Sequence, residues 1–155
     1  MIVAIDFGIT NTDVALSNKS QYKFFSIPSK NANESFIDEI ISLVDIDITE
    51  ISQIVVTGGK SNELNESFKG VNLTKISETD AIGYGTKEIY KIENEPFITL
   101  SCGTGTACIH HQDGQFSYIG GIAVGGGTIY GLSKAILDSS SLEEITDLAL
   151  KGNRK

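Results

Sequence analysis

Apolar positions along this chain follow two periods, and their alternation predicts an α/β fold. Short apolar or alternating runs with the length and β-branched content of strands lie at 2–7, 11–17, 21–27, 52–57, 71–76, 97–101, 105–111 and 115–119. Tight turns separate the first three runs, which predicts an antiparallel meander. The stretch 60–68 fits either a short helix or a loop.

Four segments show helical spacing instead. Three begin at a capping signal, and the expected N-cap residues are Asn33, Ser77 and Ser141. Gly152 is the predicted stop of the last of these helices. The remaining helix begins near Thr128 and is expected to turn its apolar positions inward; these are Ile129, Leu132, Ile136 and Leu137.

Charged residues crowd together at 91–96, which predicts a domain boundary. We therefore expect a first domain at 1–92 and the start of a second at 93–155. Each block runs strand, glycine-rich turn, strand, strand, helix, so the two share one plan. The predicted fold is a mixed sheet flanked by helices, with the second domain incomplete.

Composition and charge exclude some classes of protein function. The net charge of −8 argues against a nucleic-acid binder, which would present a basic face. No apolar run approaches the roughly 20 residues of a membrane span, and the N-terminus lacks the basic region of a signal peptide. We expect a cytoplasmic protein without membrane contact, in which Cys102 and Cys108 are reduced and buried.

Glycine is the informative excess, with 16 residues against two prolines. The first glycine motif is Ile5-Asp6-Phe7-Gly8-Ile9-Thr10-Asn11-Thr12, a strand end followed by a turn. Here Asp6 is placed to hold Mg²⁺, while the amides from Gly8 to Asn11, with the Thr10 hydroxyl, could cradle phosphate oxygens. An ordinary β-turn that uses Asp and Gly for its geometry is the alternative.

A second strand end carries Ser101-Cys102-Gly103-Thr104-Gly105-Thr106. Its amides and hydroxyls are donors of the same kind as those of the first motif. One Gly-x-Gly is weak evidence, but one such loop opening each block is stronger. We expect the two loops to grip one polyphosphate between the domains, where ligand sites tend to lie.

The third glycine motif runs from Gly120 to Thr128 and leads into a helix. A helix N-terminus approached by Gly125, Gly126 and Gly127 is a ready anion site. Close helix–sheet packing that leaves no room for side chains explains the same glycines equally well.

Among the titratable residues, Glu78 at a helix start could act as a general base. Its spacing alone favours N-terminal capping and dipole complementation, to which Asp80 and Ser77 also contribute. The pair His110-His111 is expected at the surface of a hairpin and not at a metal site. Cys102 lacks an implied partner and is not expected to be a nucleophile.

The residues resemble a known family. The segment from Ile5 to Thr12 is similar to the first phosphate motif of the actin-like ATPase superfamily, whose fold is ribonuclease H-like. Resemblance to type II pantothenate kinases in order and spacing extends over the whole chain. It is carried by Val56-Thr57-Gly58-Gly59, Glu78-Thr79-Asp80-Ala81, Gly103-Thr104-Gly105-Thr106, Ile119-Gly120-Gly121-Ile122, the helix from Gly125 to Leu132, and the tail 142–154.

That resemblance implies ATP-dependent phosphorylation of pantothenate, the first step toward coenzyme A, with ATP and Mg²⁺ as cofactors. It implies that Glu78 is the catalytic base and that Asp6 and Thr10 work near Mg²⁺ and the phosphates. It also implies that the Gly103–Gly105 segment faces the transferred phosphoryl group. Thr104, Tyr118 and Gly121 fall on the substrate side.

The chain departs from the family at three positions. Tyr118 stands where the family has an arginine, Ala107 where it commonly has serine, and Asp13 where it often has a basic residue. A non-catalytic nucleotide-binding or regulatory relative, and a kinase of the same superfamily with another acceptor, are therefore alternatives. Expected partners are a pantothenate-like substrate, a coenzyme A or acyl-CoA feedback ligand, and either a second copy or a C-terminal half.

Overall fold

The structure is a computed structural model and describes residues 1–18, 21–59, 61–137 and 141–153. The chain forms two compact units, Met1–Gly85 and Thr86–Lys155. They divide inside the helix that runs from Glu78 to Tyr90, and the sequence-based boundary at 92/93 stays a prediction.

The first unit is a six-stranded mixed sheet with the order β3-β2-β1-β4-β6-β5. Its elements are β1 (Ile2–Phe7), β2 (Asn11–Asn18), β3 (Gln21–Pro28), α1 (Glu34–Leu43), β4 (Gln53–Thr57), β5 (Ser67–Phe68), β6 (Val71–Lys75) and the start of α2 (Glu78–Tyr90). The predicted meander is confirmed, because β1 and β2 pair antiparallel, as do β2 and β3. Strand β4 then pairs in parallel with the other edge of β1. Within 61–68, where the sequence fitted either a short helix or a loop, the chain forms a 3₁₀ turn at Ser61–Glu63 and the short β5.

Alternation along the strands gives this sheet two different faces. Side chains such as Val3, Ile5 and Val56 are buried in one cluster with Ile37 and Ile40 of α1. The opposite face forms an open, mostly apolar groove of about 580 Å³. Its lining includes Ala4, Asp6, Asp13, Ala15, Phe24 and Val55. The polar end of the groove is therefore the carboxyl end of β1.

The second unit is a three-stranded antiparallel sheet with the order β7-β8-β9, followed by two helices. Its elements are β7 (Phe97–Cys102), β8 (Thr106–Gln112), β9 (Gln115–Ile122), α3 (Gly126–Leu137) and α4 (Leu142–Lys151). The predicted Asp113-Gly114 turn joins β8 to β9, with both residues at positive φ. A register shift between Cys108 and Ile109 marks a bulge in the β8–β9 ladder.

The three predicted N-caps are confirmed. The Asn33 Oδ1 accepts a hydrogen bond from the Phe36 amide at 2.9 Å, and the Ser77 Oγ accepts one from the Asp80 amide at 3.0 Å. The Ser141 Oγ accepts from the Glu144 amide at 3.3 Å. The last helix ends at Lys151, as the position of Gly152 predicted.

Three expectations about burial are wrong. His111 was expected at the surface but is 1% exposed, because alternation along β8 places it on the same face as the buried Ile109. Its ring stacks on that of Phe97 and is tilted against that of Phe116, with centroid distances of 4.8 and 5.0 Å. Cys102 is exposed and Cys108 half-buried, since β7 and β8 leave their shared face open; both are free thiols.

Helix α3 does not turn its apolar residues inward. Ile129, Leu132, Ile136 and Leu137 are 49–74% exposed, and none of the residues of α3 is buried. Helical spacing identified an apolar stripe correctly, but nothing in the described part of the chain covers it. Throughout that part, every helix is too short or too polar for a membrane span.

Candidate phosphate-binding loops and carboxylate cluster

One serine, Ser29, holds the turn between β1 and β2 in place. The Ser29 hydroxyl donates to the Gly8 carbonyl and lies 2.9 Å from the buried Thr12 hydroxyl. The Ser29 amide also donates to the Thr10 carbonyl at 3.1 Å. These contacts fix the turn that leads from Gly8 to Asn11. Thr10 and Asn11 are both exposed on it.

Removing the Ser29 hydroxyl is expected to destabilise the first unit by about 1–3 kcal/mol, because Ser29→Ala leaves the Thr12 hydroxyl buried without a partner. Adding Thr12→Val removes that orphaned group. The double variant should therefore cost less than the sum of the two single changes. Urea unfolding of the four proteins measures this coupling, and strictly additive values would contradict it.

The carboxyl end of β1 lies against the glycine pair that ends β4. A Cβ added at Gly58 would stand 2.3 Å from the Asp6 Oδ1 and 2.9 Å from the Phe7 carbonyl oxygen. Both Gly58 and Gly59 have positive φ, at 73° and 33°. Glycine is therefore needed at both positions for the positive φ, and at Gly58 also because its backbone lies so close to Asp6.

Gly58→Ala is expected to destabilise the protein by more than the roughly 1 kcal/mol that a positive φ alone costs a residue with a side chain. The added methyl group must displace the Asp6 carboxylate or the β1 backbone. Gly70→Ala is the matched control, since Gly70 has φ of 85° and nothing within 4 Å of an added Cβ. Equal losses of unfolding free energy in the two variants would show that the clash is unimportant.

Two carboxylates of the first unit act by charge on Asp6 at this end of the groove. Asp6 and Asp13 are direct cross-strand partners in the β1–β2 ladder, and Glu78 begins α2. Partial burial raises the pKa of Asp6 above its ordinary value, and the negative charges of Glu78 and Asp13 raise it further. Opposed like charges are unfavourable in a strand pair, so the arrangement is one that a bound cation would relieve.

The residues present fit a magnesium ion held mainly by a nucleotide. Among the described residues, no group of three His, Cys, Asp or Glu side chains could enclose a metal ion on its own. Mg²⁺ in phosphoryl-transfer sites commonly takes one or two carboxylates, with waters and phosphate oxygens filling the remaining positions. The exposed Asp6 carboxylate, surrounded by excess negative charge, meets that requirement.

At the start of α2 the capping hydrogen bonds join Ser77 to Asp80 and do not involve Glu78. The Ser77 hydroxyl donates to the Asp80 Oδ2 at 2.7 Å and accepts from its amide at 3.0 Å. Glu78 is exposed in the first turn and acts on Asp6 by charge. The capping explanation therefore accounts for Ser77 and Asp80 and leaves the Glu78 carboxylate for another role.

In the second unit, the turn Gly103–Gly105 and the start of α3 are packed backbone on backbone. An added Cβ at Gly125 would lie 2.4 Å from the Gly105 carbonyl oxygen and 2.7 Å from that of Gly103. The Gly127 amide donates to the Gly103 carbonyl, and the Thr128 amide to that of Thr104, both at 3.2 Å. Close packing against the loop therefore explains Gly125, whereas a Cβ at Gly126 would make an ordinary contact at 3.7 Å with the Gly103 carbonyl oxygen.

Tyr118 and Gly121 also lie together in this unit. A Cβ on Gly121 would stand 2.5 Å from the Tyr118 hydroxyl and 2.5 Å from the Thr106 carbonyl oxygen. Tyr118 nevertheless remains 60% exposed. The phenol ring therefore extends along β9 over a residue that has no side chain.

The structure brings the predicted residues together in two sets, one within each unit. The first set is Asp6, Gly8, Thr10, Asn11 and Glu78; the second is Gly103, Thr104, Gly105, Tyr118, Gly121, Gly125, Gly126 and Gly127. Sequence reasoning missed Ser29, which lies in a polar loop with no distinguishing signal. It noted Gly58-Gly59, but could not show that this pair touches Asp6.

Sequence comparison identifies relatives over nearly the whole chain. A type II pantothenate kinase from Bacillus anthracis is 33% identical over 159 residues, which cover 99% of this chain and 55% of the relative. The enzyme of the same description from Bacillus cereus strain ATCC 14579 is 34% identical, with coverage of 99% and 56%. The chain is similar in sequence to type II pantothenate kinases. The predicted resemblance is confirmed, and the chain spans about half the length of the curated relatives it matches.

A family model described as Fumble matches residues 81–155. Solved structures share the fold at low identity. An activator of 2-hydroxyisocaproyl-CoA dehydratase from Clostridium difficile, with bound ADPNP, matches with a TM-score of 0.66 and 14% identity, covering 99% of this chain and 58% of that one. A ROK family protein from Streptococcus pneumoniae, in complex with sucrose, gives 0.55 and 14%, with coverage of 98% and 68%. The predicted actin-like fold is confirmed.

Proposed function

We propose that this chain binds MgATP and serves the transfer of the γ-phosphoryl group to the hydroxyl of pantothenate, the first step of coenzyme A biosynthesis. The names of the sequence relatives support the reaction class. The nucleotide bound by the Clostridium difficile activator supports ATP as the phosphoryl donor.

One observation carries the proposal. The Asp6 carboxylate, its pKa raised by partial burial and by the nearby charges of Glu78 and Asp13, ends β1 beside a turn that Ser29 holds in place. A divalent cation and its phosphates would neutralise this local excess of negative charge. An ordinary structural turn needs no such concentration of carboxylates.

In this reaction Glu78 accepts the proton of the acceptor hydroxyl. At the same time the oxygen of that hydroxyl bonds to the γ-phosphorus. The bond between that phosphorus and the bridging oxygen breaks, and ADP leaves with the electron pair. Phosphoryl transfer needs mainly positioning of the reactants and stabilisation of negative charge. A bound Mg²⁺ would supply the charge stabilisation. The turn from Gly8 to Asn11, with the Thr10 hydroxyl, supplies donors to phosphate oxygens.

The second unit contributes a donor loop of the same kind. We assign Gly103, Thr104 and Gly105 to the transferred phosphoryl group. Gly125, Gly126 and Gly127 support that loop and the nucleotide. On the acceptor side we place Thr104, Tyr118 and Gly121, where a phenol replaces the guanidinium of the family pattern and removes a positive charge.

That replacement favours a second candidate function, nucleotide binding without transfer to pantothenate. The Tyr118 hydroxyl lies against Gly121 and offers no charge to an acidic acceptor. A related possibility keeps phosphoryl transfer but uses a less acidic acceptor than pantothenate. Three finer proposals rest on the sequence analysis alone, namely a cytoplasmic location, feedback by coenzyme A or acyl-CoA, and completion by either a second copy or a C-terminal half.

Two measurements on the purified chain test the proposal separately. Calorimetric titration with ATP, with and without Mg²⁺, measures nucleotide binding, and coupled detection of ADP with and without pantothenate measures transfer. We expect Mg²⁺-dependent binding and pantothenate-dependent ADP formation. Binding without turnover would support the second candidate, and the absence of any nucleotide binding would overturn both.

A further inference from the structure

A buried hydroxyl at the end of β4 has no hydrogen-bond partner. The Thr57 Oγ1 is shielded from solvent, yet no described residue forms a hydrogen bond with it. Buried polar groups in folded proteins are nearly always hydrogen-bonded, and an unpaired one lowers stability. A valine of the same shape would suit the strand equally well and would carry no such group. Strand packing alone therefore does not explain a threonine at this position.

Alternation along β4 directs Thr57 to the groove of the first unit. Ile54 and Val56 are buried in the core on one face of the sheet. Thr57 therefore points to the opposite face, and it is one of the residues that line the groove of about 580 Å³. Its hydroxyl lies at the end where β1 and β4 both finish. In sheets with parallel strands, ligands tend to bind at the carboxyl ends of those strands.

Asp6 lies beside Thr57 in the sheet. The two residues are register partners in the parallel β1–β4 pair, and neighbouring strands are about 4.8 Å apart. Both side chains line the groove. On the other side of Thr57 lies Ile76, which follows β6 and has an apolar side chain. The Asp6 carboxylate is therefore the polar side chain next to the Thr57 hydroxyl, and side-chain rotation can bring the two together without movement of the strands.

The glycine after Thr57 restricts the same carboxylate. The backbone of Gly58 approaches the Asp6 Oδ1 so closely that an added Cβ would lie 2.3 Å from it. The main chain thus limits where the carboxylate can lie, and a hydrogen bond from Thr57 would fix its rotation. In metal sites, hydrogen bonds from neighbouring groups orient the ligating side chains and raise the affinity for the metal.

We propose that Thr57 is a positioning residue for Asp6, whose carboxylate accepts a hydrogen bond from the Thr57 hydroxyl when it binds the Mg²⁺ of MgATP. This inference rests on the proposed function, which assigns the cation to Asp6. The hydrogen bond gives the buried hydroxyl the acceptor that it lacks in the free chain. Thr57 therefore lowers the stability of the free chain and strengthens the binding of MgATP.

Thr57→Val tests this role, because it removes the hydroxyl and keeps the shape of the side chain. The dissociation constant of ATP in excess Mg²⁺ should rise roughly tenfold, as for other groups that orient a metal ligand. The dissociation constant in EDTA should not change. The urea midpoint of the free chain should rise, because a buried group without a partner is removed. Thr57→Ser keeps the hydroxyl and should bind MgATP as the parent protein does.

Thr74→Val is the matched control on the neighbouring strand β6. The Thr74 hydroxyl accepts a hydrogen bond from the Gln53 Nε2 at 2.9 Å. Its removal should lower the urea midpoint and leave nucleotide binding unchanged, which is the opposite pattern. A double variant shows whether Thr57 acts through Asp6. In the Asp6→Asn background, Thr57→Val should cause no further loss of MgATP binding.

Calorimetric titration of these variants distinguishes the possible failures. Unchanged MgATP binding by Thr57→Val would overturn the positioning role, as would additive losses in the double variant. Weaker binding in EDTA as well would assign the hydroxyl to the nucleotide and not to Asp6. If ATP binding by the parent protein did not depend on Mg²⁺, the role of Asp6 in the proposed function would fail together with that of Thr57. Mg²⁺ dependence in the parent protein limits any failure to Thr57.

Discussion

Glu78→Gln should slow phosphoryl transfer to pantothenate by about 10²–10⁴-fold, the range typical of a lost general base. The amide keeps the size of the side chain and its place in the first turn of α2, but it cannot accept the proton of the hydroxyl. Binding of MgATP should stay nearly unchanged, since the nucleotide contacts groups other than Glu78. Single-turnover formation of phosphorylated pantothenate, measured beside the ATP dissociation constant, separates the two effects.

Asp80→Asn is the control that separates chemistry from capping. The Asp80 carboxylate accepts a hydrogen bond from the Ser77 hydroxyl, and its negative charge favours the helix N-terminus, so its replacement should weaken the start of α2 by about 0.3–1 kcal/mol. Turnover by the folded variant should stay near that of the parent protein. If Glu78→Gln lowered only stability, or if both variants lost turnover equally, Glu78 would be a helix-terminus residue and not the base.

Asp6→Asn is expected to weaken MgATP binding on the order of 10- to 100-fold, because it removes the one charged ligand that the first loop offers to the metal. The same change should make the protein slightly more stable at neutral pH. Asp6 carries a raised pKa, so its ionised form is less favourable in the folded protein than in the unfolded chain. Because the group is also exposed to solvent, the gain should stay below about 1 kcal/mol.

The pH dependence identifies the source of that gain. The folded state holds the Asp6 proton more tightly than the unfolded chain does. Stability of the parent protein therefore falls as the pH rises from the ordinary value of 3.8 through the raised pKa, and is level above it. The advantage of Asp6→Asn should appear above this window and vanish below it. Urea unfolding across pH measures the difference, and a constant offset would contradict the assignment.

Asp13→Asn is the matched control for Asp6→Asn. It removes a charge that raises the pKa of Asp6, yet Asp13 is not assigned to the metal. The variant should therefore gain stability while keeping Mg²⁺-dependent nucleotide binding. Loss of binding in both variants would mean that the site needs the pair of carboxylates and not Asp6 alone.

Sequence predicted the elements of this fold well, because the signals it used are local. A strand is recognised by alternating apolar and polar residues. A helix start is recognised by a side chain that accepts a hydrogen bond from the amide three residues later, as Asn33 and Ser77 do. The glycine turns after β1 and β7 were found for the same reason. Locating these two turns needed no knowledge of distant residues.

What sequence could not predict depends on contacts between distant segments. The spacing in α3 marks an apolar stripe, but only the rest of the structure shows whether Leu132 is covered. His111 and His110 are indistinguishable by composition, and the covered face of β8 decides which is buried. The contact of Gly58 with Asp6 joins two strands 52 positions apart, so no local pattern could reveal it.

The three-stranded sheet of the second unit has two dissimilar ends. At one, the rings of Phe97, His111 and Phe116 stack across all three strands. At the other, Gly103 and Gly105 place no side chain on the turn between β7 and β8, while the Tyr118 ring extends over Gly121. Bulky rings fix the alignment of the strands where no ligand is expected. The two glycines of the turn can then bring their peptide groups close to an anion.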